Sequence, residues 1–301
     1  MNILDYAKEV EKLVNPMEVG KVSYLQTKLR RLPVWMQRKI VTSATKKADK
    51  MPFVVEPYCS FMFYEITEPE KMQKFLPAGF RPTKAAIFEG DTPKYYGIVT
   101  MFRVHSSVFW GARTEFYLVA ENVETGLLSW IICDYISDTI SYDEKHGLKS
   151  PDASKAVMTT TCEGDFVCDM KNNDGKKYAQ CEMSLSDAKC KKLDKRLWIE
   201  GNTSIAYGRL AGDTDGDLFS LTFFPEEMKQ ALEIPVPKVR KAEVLCGTGK
   251  LGGILERAAS FPYAQHMLSD APGQRTHYGS EEALKKAVEK IDFNKIKTLG
   301  N

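Results

Sequence analysis

A lysine attacks a carbonyl carbon only as the neutral amine, and an unperturbed ammonium with a pKa near ~10.4 is inert. The stretch SYDEKHGLKSPDASKA, residues 141–156, places Lys149 between Lys145 and Lys155, beside Gly147 and Pro151. Burial among apolar groups or a neighbouring cation lowers a lysine pKa, and this loop supplies candidate cations. The same composition also describes a solvated turn, and spacing alone leaves both readings open.

A second candidate lies in GARTEFYLVAEN, residues 111–122. Strand side chains alternate faces, so Arg113, Glu115 and Tyr117 share one side, while Thr114, Phe116 and Leu118 share the other. Facing an enclosed apolar space, this row would be a charged site able to exchange protons. Facing water, it would be an ordinary solvated surface.

Other chemistry has less to stand on. His105, His146, His266 and His277 are widely separated, and the seven cysteines, Cys59, Cys133, Cys162, Cys168, Cys181, Cys190 and Cys246, contain no C-x-x-C pair. The odd count and the spacing predict reduced thiols, no bound metal and a cytoplasmic setting. GTGKLG, residues 247–252, fits G-x-G-x-x-G but follows a series of strands without a β-α-β unit, so tight turns account for its glycines and no cofactor is expected. The net charge of +2 gives no reason to expect a nucleic-acid partner. No stretch of the chain is apolar for long enough to suggest integral membrane association.

The elements that must position these residues have recognisable textures. A chain of 301 residues with 43% hydrophobic and 27% charged residues has enough apolar side chains to fold around a core. Ile3, Tyr6, Val10 and Leu13 recur at helical spacing, and the helical pattern continues to about residue 50 with an interruption at Pro33. Between Lys28 and Lys50 lie eight basic residues and one acidic residue, Asp49, mixed with Val34, Trp35 and Ile40. Such an arm fits packing on the body or another subunit, or binding to an anionic surface.

From Phe53 onward, aromatic and β-branched runs separated by turn signals predict strands: FVVEPYCSFMFYEI, YYGIVTMFRV, TEFYLVAENV, LLSWIICDYI, EGDFVCDM, YAQCEMSL and DLFSLTFF. EPEKMQKFLPAGF is expected to be a helix burying Met72, Phe75 and Leu76. Ser280 is expected to cap a C-terminal helix. The whole reads as mainly β (α+β), a large antiparallel sheet closed or nearly closed, with helices at both ends.

The order of these segments resembles the acetoacetate decarboxylase family from about Phe53 to Asp270. The matching features are an early strand, the Leu-Pro of KFLPAGF, the pair Thr114-Glu115, the apolar strand LLSWIICDYISD, the lysine loop and the late segments LFSLTFFPEE and KAEVLCGTGKLGG. The resemblance implies a cone-like β-barrel with an apolar interior, in which a lysine forms a Schiff base with a β-keto acid and carbon dioxide leaves.

Carried over by position, Lys149 is the nucleophile and Glu115 the catalytic carboxylate. Ser150 stands where the family has a second lysine, Thr100 near a partner glutamate and Pro57 near an arginine that Arg113 could replace; Tyr117 shares the row. The expectation is a homo-oligomeric lyase without cofactor, acting on a keto acid. Its parts are a basic helical arm (1–50), a barrel domain (51–275) and a C-terminal helix (276–301). Imine-based aldol or dehydration chemistry, or apolar-acid binding without catalysis, are the alternatives.

Overall fold

The computed structural model describes residues 1–29, 31–45, 50–106, 110–138, 152–209, 218–245, 253–270 and 278–298. Lys149, Ser150 and the GTGKLG segment lie outside the described residues. The first strands are β1 (Lys50–Val55), β2 (Cys59–Ile66), β3 (Phe80–Pro82), β4 (Tyr96–Ser106), β5 (Trp110–Asn122) and β6 (Leu128–Ser137). Next come β7 (Ala153–Thr160), β8 (Asp165–Asn172), β9 (Tyr178–Ser184), β10 (Lys189–Lys192) and β11 (Ile205–Tyr207). The last are β12 (Leu218–Phe219), β13 (Leu221–Phe223), β14 (Gln230–Ile234), β15 (Val239–Leu245), β16 (Gly253–Phe261) and β17 (Gln265–Asp270).

The protein is mainly β, with a large mixed sheet and few helices. Thirteen strands form one sheet whose main path runs β10-β14-β16-β2-β4-β5-β6-β11-β12. The sheet divides at β4: residues Tyr96–Met101 pair with β2, and residues Val104–Ser106 pair with β1. Strand β1 pairs with β17, and β17 with β13. The chain turns between β1 and β2 at Pro57 and Tyr58, and Tyr58 has a φ of 65°, a left-handed conformation uncommon for a residue with a side chain. The expectation of a purely antiparallel sheet is corrected at one pairing, because β11 runs parallel to β6.

A four-stranded antiparallel sheet, β15-β9-β8-β7, covers part of the large one. Met158, Phe166, Met170 and Met183 from this layer join Met62, Val99, Met101 and Ile136 from the large sheet in one apolar cluster. The alternation read in EGDFVCDM is visible here: Phe166, Cys168 and Met170 are buried, and the residues between them are half-buried. The turns at ETG and NNDG hold Gly126 and Gly175, each at φ 71°.

Three helices precede the strands: α1 (Ile3–Leu13), α2 (Pro16–Leu29) and α3 (Val34–Thr45), the last starting directly after Pro33. A helix over Glu281–Glu289 follows them, with the Ser280 hydroxyl accepting from the Ala283 N–H at 3.2 Å. The expected helix in EPEKMQKFLPAGF is instead two 3₁₀ turns, Pro69–Lys71 and Gln73–Phe75. Pro69 and Pro77 leave too few residues between them for a stable α-helix, although Met72, Phe75 and Leu76 are buried as expected. Among the described residues no helix is long and apolar enough to cross a membrane.

Helix α1 packs on β1 and β17 with Tyr6 and Val10 fully buried. The Tyr6 hydroxyl donates to the Thr222 carbonyl at 2.7 Å. His266 lies between two carboxylates, with Nδ1 2.8 Å from Glu227 and Nε2 3.0 Å from Glu11 of α1. Burial works against the imidazolium, but hydrogen bonds and charge from Glu227 and Glu11 outweigh it and raise the His266 pKa. This contribution to stability is therefore full below the unfolded value of ~6.5 and is lost as pH rises through the higher folded value. Thermal unfolding of the protein and of His266→Gln is expected to show a wide stability gap near pH ~6 that narrows at higher pH. A gap independent of pH would show that the imidazolium charge does not fasten α1.

Candidate active site

The strands β1, β4, β5, β6, β11, β13 and β17 all turn residues toward one cavity. Phe53 and Val55 come from β1, Thr100, Phe102 and Val104 from β4, and Glu115 and Tyr117 from β5. Trp130 and Ile132 of β6, Ile205 of β11, Leu221 of β13, and Gln265, Met267 and Ser269 of β17 complete most of the wall. The spacing of two within β1, β4, β5, β6 and β17 is the strand alternation that puts every second side chain on one face. About 100 Å³ is open to the centres of water-sized molecules, enough for several waters or a small organic compound.

Part of the cavity wall is aromatic. A helical segment, Arg196–Glu200 continuing into Gly201–Thr203, brings Trp198 and Asn202 to the cavity. Trp198 lies 5.5 Å from Trp130 and 5.0 Å from Phe61 between ring centroids. The close approach depends on Gly201, where a Cβ would come within 2.3 Å of the Trp130 ring. Both indole N–H groups are turned away: Trp130 Nε1 donates to the Leu197 carbonyl at 2.9 Å and Trp198 Nε1 to the Ile87 carbonyl at 2.8 Å. The indoles are therefore satisfied without a ligand and offer it only carbon surface.

Among the described lining residues stands one carboxylate. Glu115 accepts hydrogen bonds from Arg113 Nε on one oxygen and from the Tyr117 hydroxyl on the other. Arg113, Glu115 and Tyr117 are 0%, 3% and 6% exposed, so the row does not face water. Thr100 is the cross-strand partner of Glu115 and its hydroxyl donates to the Glu115 carbonyl at 3.5 Å. Burial pushes the Tyr117 pKa well up, with the negative charge of Glu115 adding to it, so the phenol keeps its proton. For Arg113, burial disfavours the charge, but Glu115 overrides it and the pKa is raised.

A bulge in β6 arranges the groups around Arg113. Phe116 pairs with Asp134 and Tyr117 with Ile132, leaving Cys133 as the extra residue. Residues on either side of a bulge change parity, so Tyr135, opposite Glu115, faces the same way as Ile132 and Trp130. The Arg113 guanidinium consequently stacks 4.7 Å from the Tyr135 ring centroid, and its Nη2 lies 3.5 Å from the Tyr207 hydroxyl. Its Nη1 is buried and has no hydrogen-bond partner among the described residues.

The structure thus brings together Arg113, Glu115, Tyr117 and Thr100. Glu115, Tyr117 and Thr100 touch the cavity, whereas Arg113 sits behind Glu115 and is not among the lining residues. Tyr135, Tyr207, Trp198, Asn202 and Gln265 were not singled out from the sequence. Tyr135 lay in LLSWIICDYI, a segment read only as a strand, and the bulge that aims it has no sequence signature. The described residues contain no group of three or more His, Cys, Asp or Glu side chains able to hold a metal ion. Cys59 at the cavity wall has its thiol pKa pushed up by burial to about 12, so it remains protonated.

No family model and no curated protein matches the chain. Solved structures of acetoacetate decarboxylase are similar to it. The enzyme from Legionella pneumophila subsp. pneumophila str. Philadelphia 1 shares 12% identity at a TM-score of 0.48, covering 75% of this chain and 87% of that one. A second acetoacetate decarboxylase structure shares 10% identity at a TM-score of 0.39, covering 77% and 89%. At such identity the likeness concerns the fold alone.

Arg113→Met would leave Glu115 buried without its counter-charge and is expected to destabilise the protein by about 3–5 kcal/mol in denaturant unfolding. Adding Glu115→Gln is expected to restore most of that loss, because the surviving group is then neutral. A small effect of Arg113→Met alone would mean that the charge pair is not required by the fold.

Proposed function

We propose that the protein is a carbon-carbon lyase that decarboxylates a β-keto acid through a Schiff base on Lys149. The observation that carries this reading is Glu115, the one carboxylate among the described lining residues, held by Arg113 and Tyr117 on the wall of an otherwise largely apolar cavity. The order of sequence segments from Phe53 to Asp270 supports it independently. A cone-like closed barrel is part of the proposal. Pairings run β1-β4-β5-β6-β11-β12, Ser220 alone separates β12 from β13, and β13 returns through β17 to β1.

The position of the lysine loop in the chain also favours the reading. Ser137 is opposite Arg113, and Ser137 and Asp152 exchange hydrogen bonds, each at 2.9 Å. Lys149 precedes Asp152 by three residues, and three residues of chain span at most about 11 Å. An amine on a long side chain can reach the Glu115 end of the cavity from such an anchor.

In the proposed reaction the neutral amine adds to the ketone carbon, and loss of water leaves a protonated imine. The bond to the carboxylate carbon breaks, its electron pair moves toward the imine nitrogen, and carbon dioxide departs. The resulting enamine takes a proton on carbon, and water releases the ketone and regenerates the amine. Glu115 serves as the proton acceptor and donor within the apolar walls, and Thr100 and Tyr117 position the ligand. No cofactor enters this scheme. The arm of residues 1–50, the barrel domain and the C-terminal helix are proposed as the parts of a cytoplasmic homo-oligomer.

A second reading keeps the imine and retains the carboxylate, as in an aldol or dehydration step. Carbon dioxide release across a panel of β-keto acids separates the two.

Borohydride added during turnover is expected to fix a ligand mass on the peptide containing Lys149, and Lys149→Arg is expected to abolish it because a guanidinium stays protonated. Glu115→Gln, whose folding is checked by circular dichroism because it leaves Arg113 without its counter-charge, is expected to lose roughly 10²–10⁴ in rate. Trapping on a different lysine, or on none, would overturn the mechanism.

A further inference from the structure

The proposed reaction leaves three polar side chains of the cavity lining unused, Asn202, Gln265 and Ser269, and Gln265 has the largest polar group without an oxygen or nitrogen partner among the described residues. Gln265 is 2% exposed and lines the cavity from β17. Its hydrogen-bond partners are both sulfur: Nε2 donates to Met228 Sδ at 3.2 Å, and Oε1 accepts from the Cys59 thiol at 3.6 Å. Sulfur is a weak donor and a weak acceptor, so a primary amide buried this way is underused at both ends. A leucine or methionine would fill the same volume without the desolvation penalty of the amide.

The strand registers separate Gln265 from the Glu115 end. Gln265 pairs with Val55, and Val55 with Val104 of β4, four residues beyond Thr100, the partner of Glu115. Through Cys59, which follows the bend into β2, the offset is nearer two residues, since Ser60 pairs with Met101. Two to four residues of strand rise correspond to roughly 7–13 Å of offset between the two polar ends measured along the strands. Phe61, Phe102, Trp130 and Trp198 are on the walls of the same cavity and present carbon surface. The edge-to-face contacts among Phe61, Trp130 and Trp198, such as the 74° angle between Phe61 and Trp198, are the geometry in which a further aromatic ring packs well.

We propose that the cavity selects a ketone or keto acid with an aromatic ring as its body and a hydroxyl group at its far end, bound by Gln265. The inference rests on the reading of Glu115 as the reactive end and names the substrate class of that same site. In the bound state the ligand hydroxyl donates to Gln265 Oε1 or accepts from Nε2, giving the amide an oxygen partner in place of sulfur. The ring occupies the aromatic section, and the carbonyl points toward Glu115 and Tyr117. A short aliphatic keto acid would leave the amide with its sulfur partners and the aromatic walls uncovered.

The test is isothermal titration of the full chain with para-hydroxybenzylacetone, benzylacetone and butanone, ketones of the class that decarboxylation would release. The hydroxylated ketone is expected to bind about tenfold more tightly than benzylacetone, the increment of one added hydrogen bond, with butanone weakest. Gln265→Met is expected to remove the tenfold advantage and leave benzylacetone binding unchanged. Equal binding of the two aromatic ketones to the unaltered protein, or butanone binding as tightly as benzylacetone, would overturn the proposal without recourse to any variant. So would a Gln265→Met protein that weakens both aromatic ketones alike. Because ligand binding is read without carbon dioxide release, its failure beside successful borohydride trapping refutes the selectivity alone. Selective binding with no trapping refutes only the imine.

Discussion

A carboxylate removed from water must be met by charge and hydrogen bonds, and the arrangement around Glu115 follows from that requirement. Arg113 supplies the charge and Tyr117 the second donor. Arg113, fully buried itself, then needs its own surroundings, which Tyr135 of β6 and Tyr207 of β11 provide. One ion pair therefore ties β5, β6 and β11 into a single register. The Cys133 bulge makes this possible, because without its change of parity Tyr135 would face away from Arg113. A buried pair of this kind is poor at stabilising a fold and good at discriminating against misregistered alternatives, since every slip strands a charge in an apolar interior.

The same requirement explains what could be read from the sequence. Arg113, Glu115 and Tyr117 fall on one strand at a spacing of two, so their common face was legible, whereas its direction, toward a cavity or toward water, depends on how the neighbouring strands assemble and was left open by the strand itself. The aromatic strands and the Ser280 cap were legible for the same reason: each depends on residues close together in the chain. Trp198 and Gln265 reach the cavity, and Tyr207 reaches Arg113, through contacts with distant segments, and the short strand β11 carries no pattern long enough to recognise. Its parallel pairing with β6 is a property of the assembled sheet. The two 3₁₀ turns over residues 69–75 were misread because Met72, Phe75 and Leu76 have helical spacing, whereas the flanking prolines limit the length available.

The wall chemistry is unequal around the cavity in a way that suits imine formation and ill suits thiol chemistry. Cys59 touches the cavity, but burial holds its proton, so it contributes volume and a weak hydrogen bond to Gln265. The indole N–H groups are likewise turned to backbone carbonyls, so neither competes for a ligand oxygen. Glu115, Tyr117, Thr100, Asn202, Gln265 and Ser269 remain as the polar lining, distributed among aliphatic and aromatic surface. Orientation in such a cavity is set by where a ligand carries oxygen, because the apolar walls accept carbon in any direction.

A lysine working beside Glu115 faces opposing influences. Apolar walls lower the amine pKa, whereas a free carboxylate nearby would raise it and hold the amine in its inert charged form. Ser150 provides no positive charge to counter that effect where the resemblance places a second lysine. Arg113 can: by bonding directly to Glu115 it offsets the negative charge felt across the cavity, leaving desolvation to act on the amine. In the proposed mechanism, the cation that would help activate the lysine is therefore Arg113, on the strand behind the carboxylate, in place of one at the neighbouring loop position. It also follows that Arg113 need not touch the ligand to matter for the reaction, which is consistent with its place outside the cavity lining.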